Sequence, residues 1–136
     1  MADYVIDSTK VKIASVGDRP PVVTRLLAGD AIVAGVAVYA VGTEGFIADK
    51  TDGVNAEVRG IALNNAVLGQ PVDIIQQGYV EVGVVATAGD IAVLSTAGKL
   101  SSYADLASSE FLTIIGVFST DKLIHININA SGIVKA

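Results

Sequence analysis

Two stretches of this chain carry the same landmarks in the same order, and this repeat restricts the fold more than any other feature of the sequence. The halves are residues 27–78 and 87–132, and the matched landmarks are Ala28-Gly29-Asp30 with Ala88-Gly89-Asp90 and Arg59-Gly60-Ile61 with Ile115-Gly116-Val117. Asp30 and Asp90 are predicted to accept a backbone N–H in a tight turn. Two units are too few for an open solenoid, so the repeat predicts a closed or sandwich-like β domain with internal pseudo-symmetry.

Short apolar runs rich in valine and isoleucine lie between glycines throughout the chain. Hydrophobic residues make up 51% of the sequence and aromatic residues only 5%, so β-branched side chains dominate the apolar surface and favour strands. Within residues 123–129, the isoleucines are predicted on a buried face, and His125 and Asn127 on the opposite face. Residues 55–59 and 103–110 are candidates for short helices. We therefore predict an all-β fold, a small β-barrel or sandwich-like domain with an internal two-fold repeat.

The first 20 residues are predicted to be an extended N-terminal arm. They end in Pro20, which with Pro21 imposes an extended backbone on the entry into the rest of the chain. Apolar residues in the arm show no sustained helical spacing, and one strand is expected over residues 4–14. A compact domain over residues 21–136 follows.

Charge argues against a nucleic-acid partner, and the length of the apolar stretches argues against a membrane-spanning helix. The formal net charge is −5 and no basic cluster occurs, whereas nucleic-acid binding needs a patch that neutralises phosphates. The longest uncharged apolar stretch, residues 31–41, is about half the ~20 residues that a membrane-spanning helix needs. We expect neither partner, and we expect synthesis in the cytoplasm because the N-terminus lacks the pattern of a signal peptide.

A search for catalytic groups finds no convergent set. The sequence has no cysteine and one histidine, which excludes thiolate zinc sites and His-rich metal sites. On its strand face His125 has Leu123 and Asn127 as neighbours, so neither a nucleophile nor an orienting acid accompanies it. The Asp49–Gly53 segment lacks the closing glutamate of a calcium loop and is better explained as a polar turn. We predict no catalytic residue, no cofactor and no metal, and therefore a protein that is not an enzyme.

Six short motifs follow one another along the chain, namely Arg25–Tyr39, Gly60–Leu63, Gly69–Ile74, Gln77–Val80, Thr87–Asp90 and Gly116–Val117. Their order resembles that of the capsid cement or head-decoration proteins of tailed bacteriophages, which are short β proteins rich in Ala, Gly and Val. The resemblance covers residues 22–132, leaves the arm uncovered and carries over no catalytic residue.

The resemblance implies a structural virion protein on the exterior of an expanded capsid, where it bridges capsomers. The implied partners are the major capsid protein and other copies of the chain, commonly as a homotrimer. The arm would add a strand to a neighbour's sheet edge, and its basic residues suit an acidic protein surface, although charges that merely solvate a loose terminus explain them equally well. Candidate subunit or capsid contacts are Tyr4, Val5, Ile6, Lys10, Lys12, Arg19, His125 and Asn127.

Other classes of protein remain alternatives. A head-fibre or tail-associated module would bind cell-surface carbohydrate, but such sites use clustered aromatic rings and this chain has no Trp. A biotinyl or lipoyl carrier domain would present a lysine at a hairpin tip, for which Lys99, next to Gly98, is the candidate. A lysine in a turn is ordinarily only solvated. A small hydrolase lacks any nominated acid, base or nucleophile.

Overall fold

The computed structural model describes residues 4, 6–14, 21–83, 87–119 and 123–135, and within them ten strands form one connected sheet. The strands are β1 (Lys12–Ala14), β2 (Val22–Ala28), β3 (Ala37–Val41), β4 (Glu44–Ile47), β5 (Gly60–Ala62), β6 (Pro71–Glu81), β7 (Ile91–Leu94), β8 (Leu100–Ser102), β9 (Phe111–Phe118) and β10 (Leu123–Val134). The all-β prediction is confirmed. The two short helices are not found as expected, since 55–59 is turn and irregular backbone and 103–110 holds only the 3₁₀ helix Tyr103–Asp105.

β2 and the four strands β3, β4, β5 and β6 close into a ring. β2 pairs in parallel with β4, and antiparallel pairing continues from β4 to β3, β5 and β6 and back to β2. Alternate side chains of these strands point inward and form a first core together with Ile32 and Ala66, which pair with each other outside the strands. The core consists of Leu26, Ala28, Ile32, Val38, Ala62, Ala66, Val72 and Ile74. Closure removes the free edges that an open sheet of these strands would expose.

The rest of the connected sheet, which we call the second sheet, extends from β6, the long strand that closes the ring. The C-terminal part of β6 pairs with β10, which pairs with β9, and β7 and β8 follow. Its inner face contributes Ile124 and Phe118 to a second core, and the outer wall of the ring contributes Ile61 and Ile75 to the same core. The architecture is therefore a closed ring packed against a sheet.

The two halves pair their strands in the same order. β4-β3-β5-β6 corresponds to β8-β7-β9-β10, and the two sets meet where β6 pairs with β10. The matched glycines also share a role: a Cβ on Gly60 would lie 2.7 Å from the carbonyl oxygen of Ile75, and one on Gly116 would overlap the carbonyl oxygen of His125. Each glycine lets its strand approach the next one closely. The repeat itself stays a prediction, which this order and these glycines support.

The described N-terminal residues lie against their own domain. The Tyr4 N–H donates to the carbonyl oxygen of Leu100 at 2.8 Å, and β1 pairs with the end of β6. The side chains of Tyr4, Ile6 and Val11 pack against the second core. These residues therefore complete the second sheet within one chain.

The strand expected over residues 4–14 is shorter than predicted. Only β1 is strand, and the 3₁₀ helix Ser8–Lys10 precedes it. The Asp7 carboxylate accepts hydrogen bonds from the N–H of Thr9 at 3.0 Å and from its hydroxyl at 2.6 Å. This local side-chain pairing stabilises a turn in place of a strand ladder.

Candidate functional site

The outer face of the second sheet carries one row of side chains that crosses five strands. The register places Ala14 opposite Tyr79, Tyr79 opposite His125, His125 opposite Val117, and Val117 opposite Ile91. Directly opposed residues share a face of the sheet, so we call these five residues the Tyr79–His125 row. Val117 is 42% exposed and Ile91 45% exposed. The row is therefore an accessible, largely apolar stripe.

The centre of this row is a stacked pair of rings. The Tyr79 and His125 ring centroids lie 4.5 Å apart with an angle of 11° between the planes. Both side chains are half-buried, because each ring covers the other and the adjacent strand. Two stacked rings on neighbouring strands make a rigid, flat surface, and aromatic side chains of this kind are enriched at protein interfaces.

Polar groups border the row on both sides. The Lys12 ammonium lies 3.2 Å from the Glu81 carboxylate, and Lys10 lines a surface cavity of about 370 Å³ with these two residues. On the other side Gln77 lies opposite Asn127. An apolar centre with a polar rim is the usual composition of a protein-binding surface.

Some of the residues nominated from the sequence meet on this face, and others do not. Lys12, His125 and Asn127 lie on it, with Lys10 at its rim, whereas Tyr4 and Ile6 pack against the second core. Val5 and Arg19 lie outside the described residues. The predicted alternation in β10 is confirmed, since Ile124 and Ile126 are buried and Asn127 is exposed. Contact of any of these residues with a partner stays a prediction.

Tyr4 is directed into its own domain by two contacts. Its ring meets the edge of the Phe118 ring at a centroid distance of 5.0 Å, and its hydroxyl donates to the Asp90 carboxylate at 3.4 Å. Burial raises the pKa of Tyr4, and the negative charge of Asp90 raises it further. Tyr4 therefore acts as an anchor of the N-terminal segment in this chain.

Val117 and Ile91 were not among the contacts predicted from the sequence. Alternation along β6 and β9 signals which residues share a face of one strand. The alignment of five strands into one row depends on long-range register, which a single sequence does not reveal.

A second exposed apolar surface lies at one end of the ring. It consists of Leu27, Val41, Val67 and Leu68, which are 47%, 59%, 59% and 71% exposed, and we call it the ring-end patch. Backbone bonds hold its segments together: Leu27 N donates to Thr43 O at 2.9 Å and Ala28 N donates to Gln70 O at 2.8 Å. Leu27 and Val41 both lie opposite the exposed Glu44 in the strand register, so the ring-end patch is aliphatic with one carboxylate between these two members.

The repeated aspartates have different roles. Asp90 accepts the N–H of Thr87, three residues before it, at 3.2 Å, as the turn prediction requires. Asp30 instead accepts the N–H of Ile47 at 3.2 Å, which lies on β4, so the prediction of a local turn bond is wrong for Asp30. The ring brings β4 beside the end of β2 and supplies this distant donor.

A shielded ion pair joins the two halves away from both apolar surfaces. The Lys50 ammonium lies 2.9 Å from the Glu110 carboxylate, with side-chain exposures of 12% and 20%. Burial acts to raise the pKa of Glu110, but the N–H of Ala107 and the ammonium of Lys50 outweigh it and hold this pKa below its ordinary value. The pair contributes to stability, and the negative charge of Asp49 acts to raise the pKa of Glu110 without outweighing these bonds.

The Asp49–Gly53 segment uses its carboxylates to cap backbone N–H groups. Asp49 accepts from Thr51 N at 2.9 Å and Ala97 N at 3.1 Å, and Asp52 accepts from Val54 N at 2.9 Å. Burial acts against ionisation of Asp49, but its bonds to Thr51 and Ala97 lower its pKa. These bonds explain the acidic residues as turn-forming groups, as the sequence predicted.

Comparisons with known proteins identify no family: no family model and no curated protein matches the chain. Within the described residues, no group of three or more His, Asp or Glu side chains is arranged to hold a metal ion. The same part of the chain contains no helix with the length and apolar character needed to cross a membrane. The two apolar surfaces are therefore the features on which a function can be argued.

Proposed function

We propose that the chain is a structural virion protein that binds the outer surface of an expanded phage capsid and stabilises it by bridging capsomers. The observation that supports this proposal is the presence of two separate apolar surfaces, the Tyr79–His125 row and the ring-end patch, on one small domain. A bridging protein needs two independent contacts, and exposed apolar patches on a folded protein commonly mark contacts with other proteins. The resemblance of six ordered motifs to decoration proteins supplies the identity of the partner.

In this proposal the Tyr79–His125 row is the contact with the major capsid protein. The stacked rings are held in place before binding, so little side-chain entropy is lost when a partner covers them. The ring-end patch is the second contact, with an adjacent capsomer or another copy of the chain, and a homotrimer is the assembly that the resemblance implies. A protein that binds only the expanded shell stabilises that state by its binding free energy, and many copies multiply the effect.

Co-sedimentation with capsids tests the proposal. Purified protein is mixed with expanded, undecorated heads of the phage whose genome encodes the chain, and in parallel with unexpanded procapsids. We expect saturable binding to the expanded heads alone. Absence of binding at micromolar concentrations would reject the capsid proposal, and a glycan array would then test the carbohydrate-binding alternative.

Matched variants identify the surface that binds. Val117→Asp places a charge in the row beside His125 and is expected to weaken binding at least about tenfold, since an unpaired buried charge is costly. Val54→Asp is the control, because Val54 is 65% exposed in a turn outside both surfaces. Equal loss of binding by both variants would show that the row is not the contact.

A further inference from the structure

β6 and β10 separate part of the way along their lengths and leave a cleft between them. They pair up to Gln77 and Asn127, after which β6 is paired with β5 through Ile75 and Ile61. Beyond Asn127, β10 keeps β9 on one side, but no other described strand pairs with its opposite edge at residues 128–130. This stretch is therefore a free strand edge facing a cleft of about 470 Å³.

The cleft has an apolar part and a polar part. The apolar lining comes from Val22, Val58, Ile128 and Ala130, and the polar lining from Arg59, Gln76 and Gln77. Within the described residues Arg59 is exposed and forms no ion pair. Glu57 is the nearest carboxylate along the chain, but it neither lines the cleft nor pairs with Arg59. Arg59, which has no carboxylate partner among the described residues, thus lines a cleft with an available backbone edge.

We propose that this cleft binds an extended peptide segment of a partner protein that carries a carboxylate side chain. The peptide backbone would pair with the edge of β10 at residues 128–130, in the manner of strand addition to a sheet. Its carboxylate would accept hydrogen bonds from Arg59, and alternate apolar side chains would contact Val22 and Ile128. This site is separate from the Tyr79–His125 row and does not depend on the proposed capsid function.

The short length of the free edge limits the expected affinity. The β9–β10 register shifts at both ends of this edge, between Ile126 and Asn129 and between Ala130 and Val134, and Ile133 N donates to the Ser131 hydroxyl at 3.2 Å. A bulge of this kind ends regular pairing, so the peptide would gain few backbone hydrogen bonds. Binding in the micromolar range or weaker is expected, and the charge of the peptide should decide which peptides the cleft prefers.

Peptide titration by fluorescence polarisation tests the proposal on the intact chain. The probes are a labelled hexapeptide that alternates Glu and Val and its counterpart that alternates Lys and Val. Wild type is expected to bind the Glu peptide about fivefold more tightly, as one solvent-accessible ion pair allows. Arg59→Glu should reverse the preference, and Lys99→Glu, at an exposed position outside the cleft, should leave it unchanged.

Three outcomes overturn the proposal. They are equal binding of both peptides to wild type, no binding of either peptide, and an unchanged preference in Arg59→Glu. An N-methylated Glu peptide separates strand pairing from charge attraction, because it keeps the carboxylates and loses backbone donors, and it is expected not to bind. Arg59→Gln removes the charge without reversing it and should abolish the preference, so a folding defect in Arg59→Glu does not decide the outcome.

Discussion

The first and second cores differ in what they need to form. The first core lies inside the ring and draws all its buried residues from positions 26–74. The second core draws on the ring wall, the second sheet and the N-terminal segment together. The two halves thus have similar strand orders but are stabilised differently. The ring closes on itself, whereas the second sheet requires packing against the ring wall and the N-terminal segment.

The contrast shows two ways in which a β domain covers the edges of similar sets of strands. In the ring, β2 closes the gap between β4 and β6. In the second sheet, the Tyr4 N–H donates to β8 and β1 pairs with β6, whereas an exact counterpart of β2 would join β8 to β10. We therefore expect perturbations of the N-terminal segment to act mainly on the second core.

Deletion of residues 2–14 is expected to have the largest effect. It removes the contacts of Tyr4, Ile6 and Val11 with the second core and the pairing of β1, at a cost of about 4 kcal/mol in the free energy of unfolding. Urea unfolding measures the total loss in the free energy of unfolding, and amide hydrogen exchange shows which strands lose protection. Protection should fall in β7, β8 and the end of β6 and persist in β2 and β5. A uniform loss across both halves would contradict the comparison.

Gly116→Ala and Gly60→Ala compare the two close strand approaches directly. Because an added methyl group meets a backbone carbonyl at both sites and comes closer at Gly116, we expect losses of about 3 and about 2 kcal/mol respectively. Gly42→Ala is the control, since no atom lies within 4 Å and only its φ of +61° is strained, which costs about 1 kcal/mol. If urea unfolding shows a larger loss of stability for Gly60→Ala than for Gly116→Ala, the distance to the carbonyl oxygen does not explain the two losses.

Glu110→Gln tests the link between the halves. Loss of one partner of a mostly buried ion pair is expected to cost about 2 kcal/mol near neutral pH, less than for a fully buried pair because both groups retain some exposure. The folded-state pKa of Glu110 lies below the ordinary value of 4.5. Its contribution is therefore present above that value and is lost as the pH falls through the folded-state pKa.

The pH dependence of unfolding separates this effect from simple loss of packing. The stability difference between wild type and Glu110→Gln should stay constant from pH 8 to about 5.5 and shrink below the ordinary carboxyl pKa. Lys50→Met is the companion variant and should reduce this dependence, because the N–H of Ala107 then opposes the effect of burial on the pKa of Glu110 without the ammonium. A difference that does not change with pH would show that Glu110 acts through packing alone.

Val117→Asp and Leu68→Asp are expected to have the smallest effects on stability, below about 0.5 kcal/mol, because both side chains are exposed. These two variants separate effects on binding from effects on folding in the two halves. Unfolding midpoints equal to that of wild type, together with altered association, would locate the interaction surfaces. A loss of several kcal/mol would show that these residues belong to the folded core.

Local chemistry alone accounts for the strands, their buried faces and the turn aspartates. The isoleucines of 123–129 alternate with polar residues, and the pleat of a strand converts that spacing into one buried face. Asp52 and Asp90 bond to N–H groups within three residues, so short-range sequence determines their roles. The turn-forming glycines likewise favour short strands, but β6 and β10 continue through Gly78 and Gly132 to lengths of 11 and 12 residues.

Only the tertiary structure decided which strands close the ring, where the N-terminal segment lies and which residues line the outer face. The Tyr79–His125 row joins side chains from five strands, and the donor to Asp30 comes from β4. Strand pairing depends on the register between distant segments, and many registers place apolar residues on the same face. The sequence by itself therefore determined an all-β chain with a repeated order of landmarks, whereas competition between long-range pairings determined its surfaces.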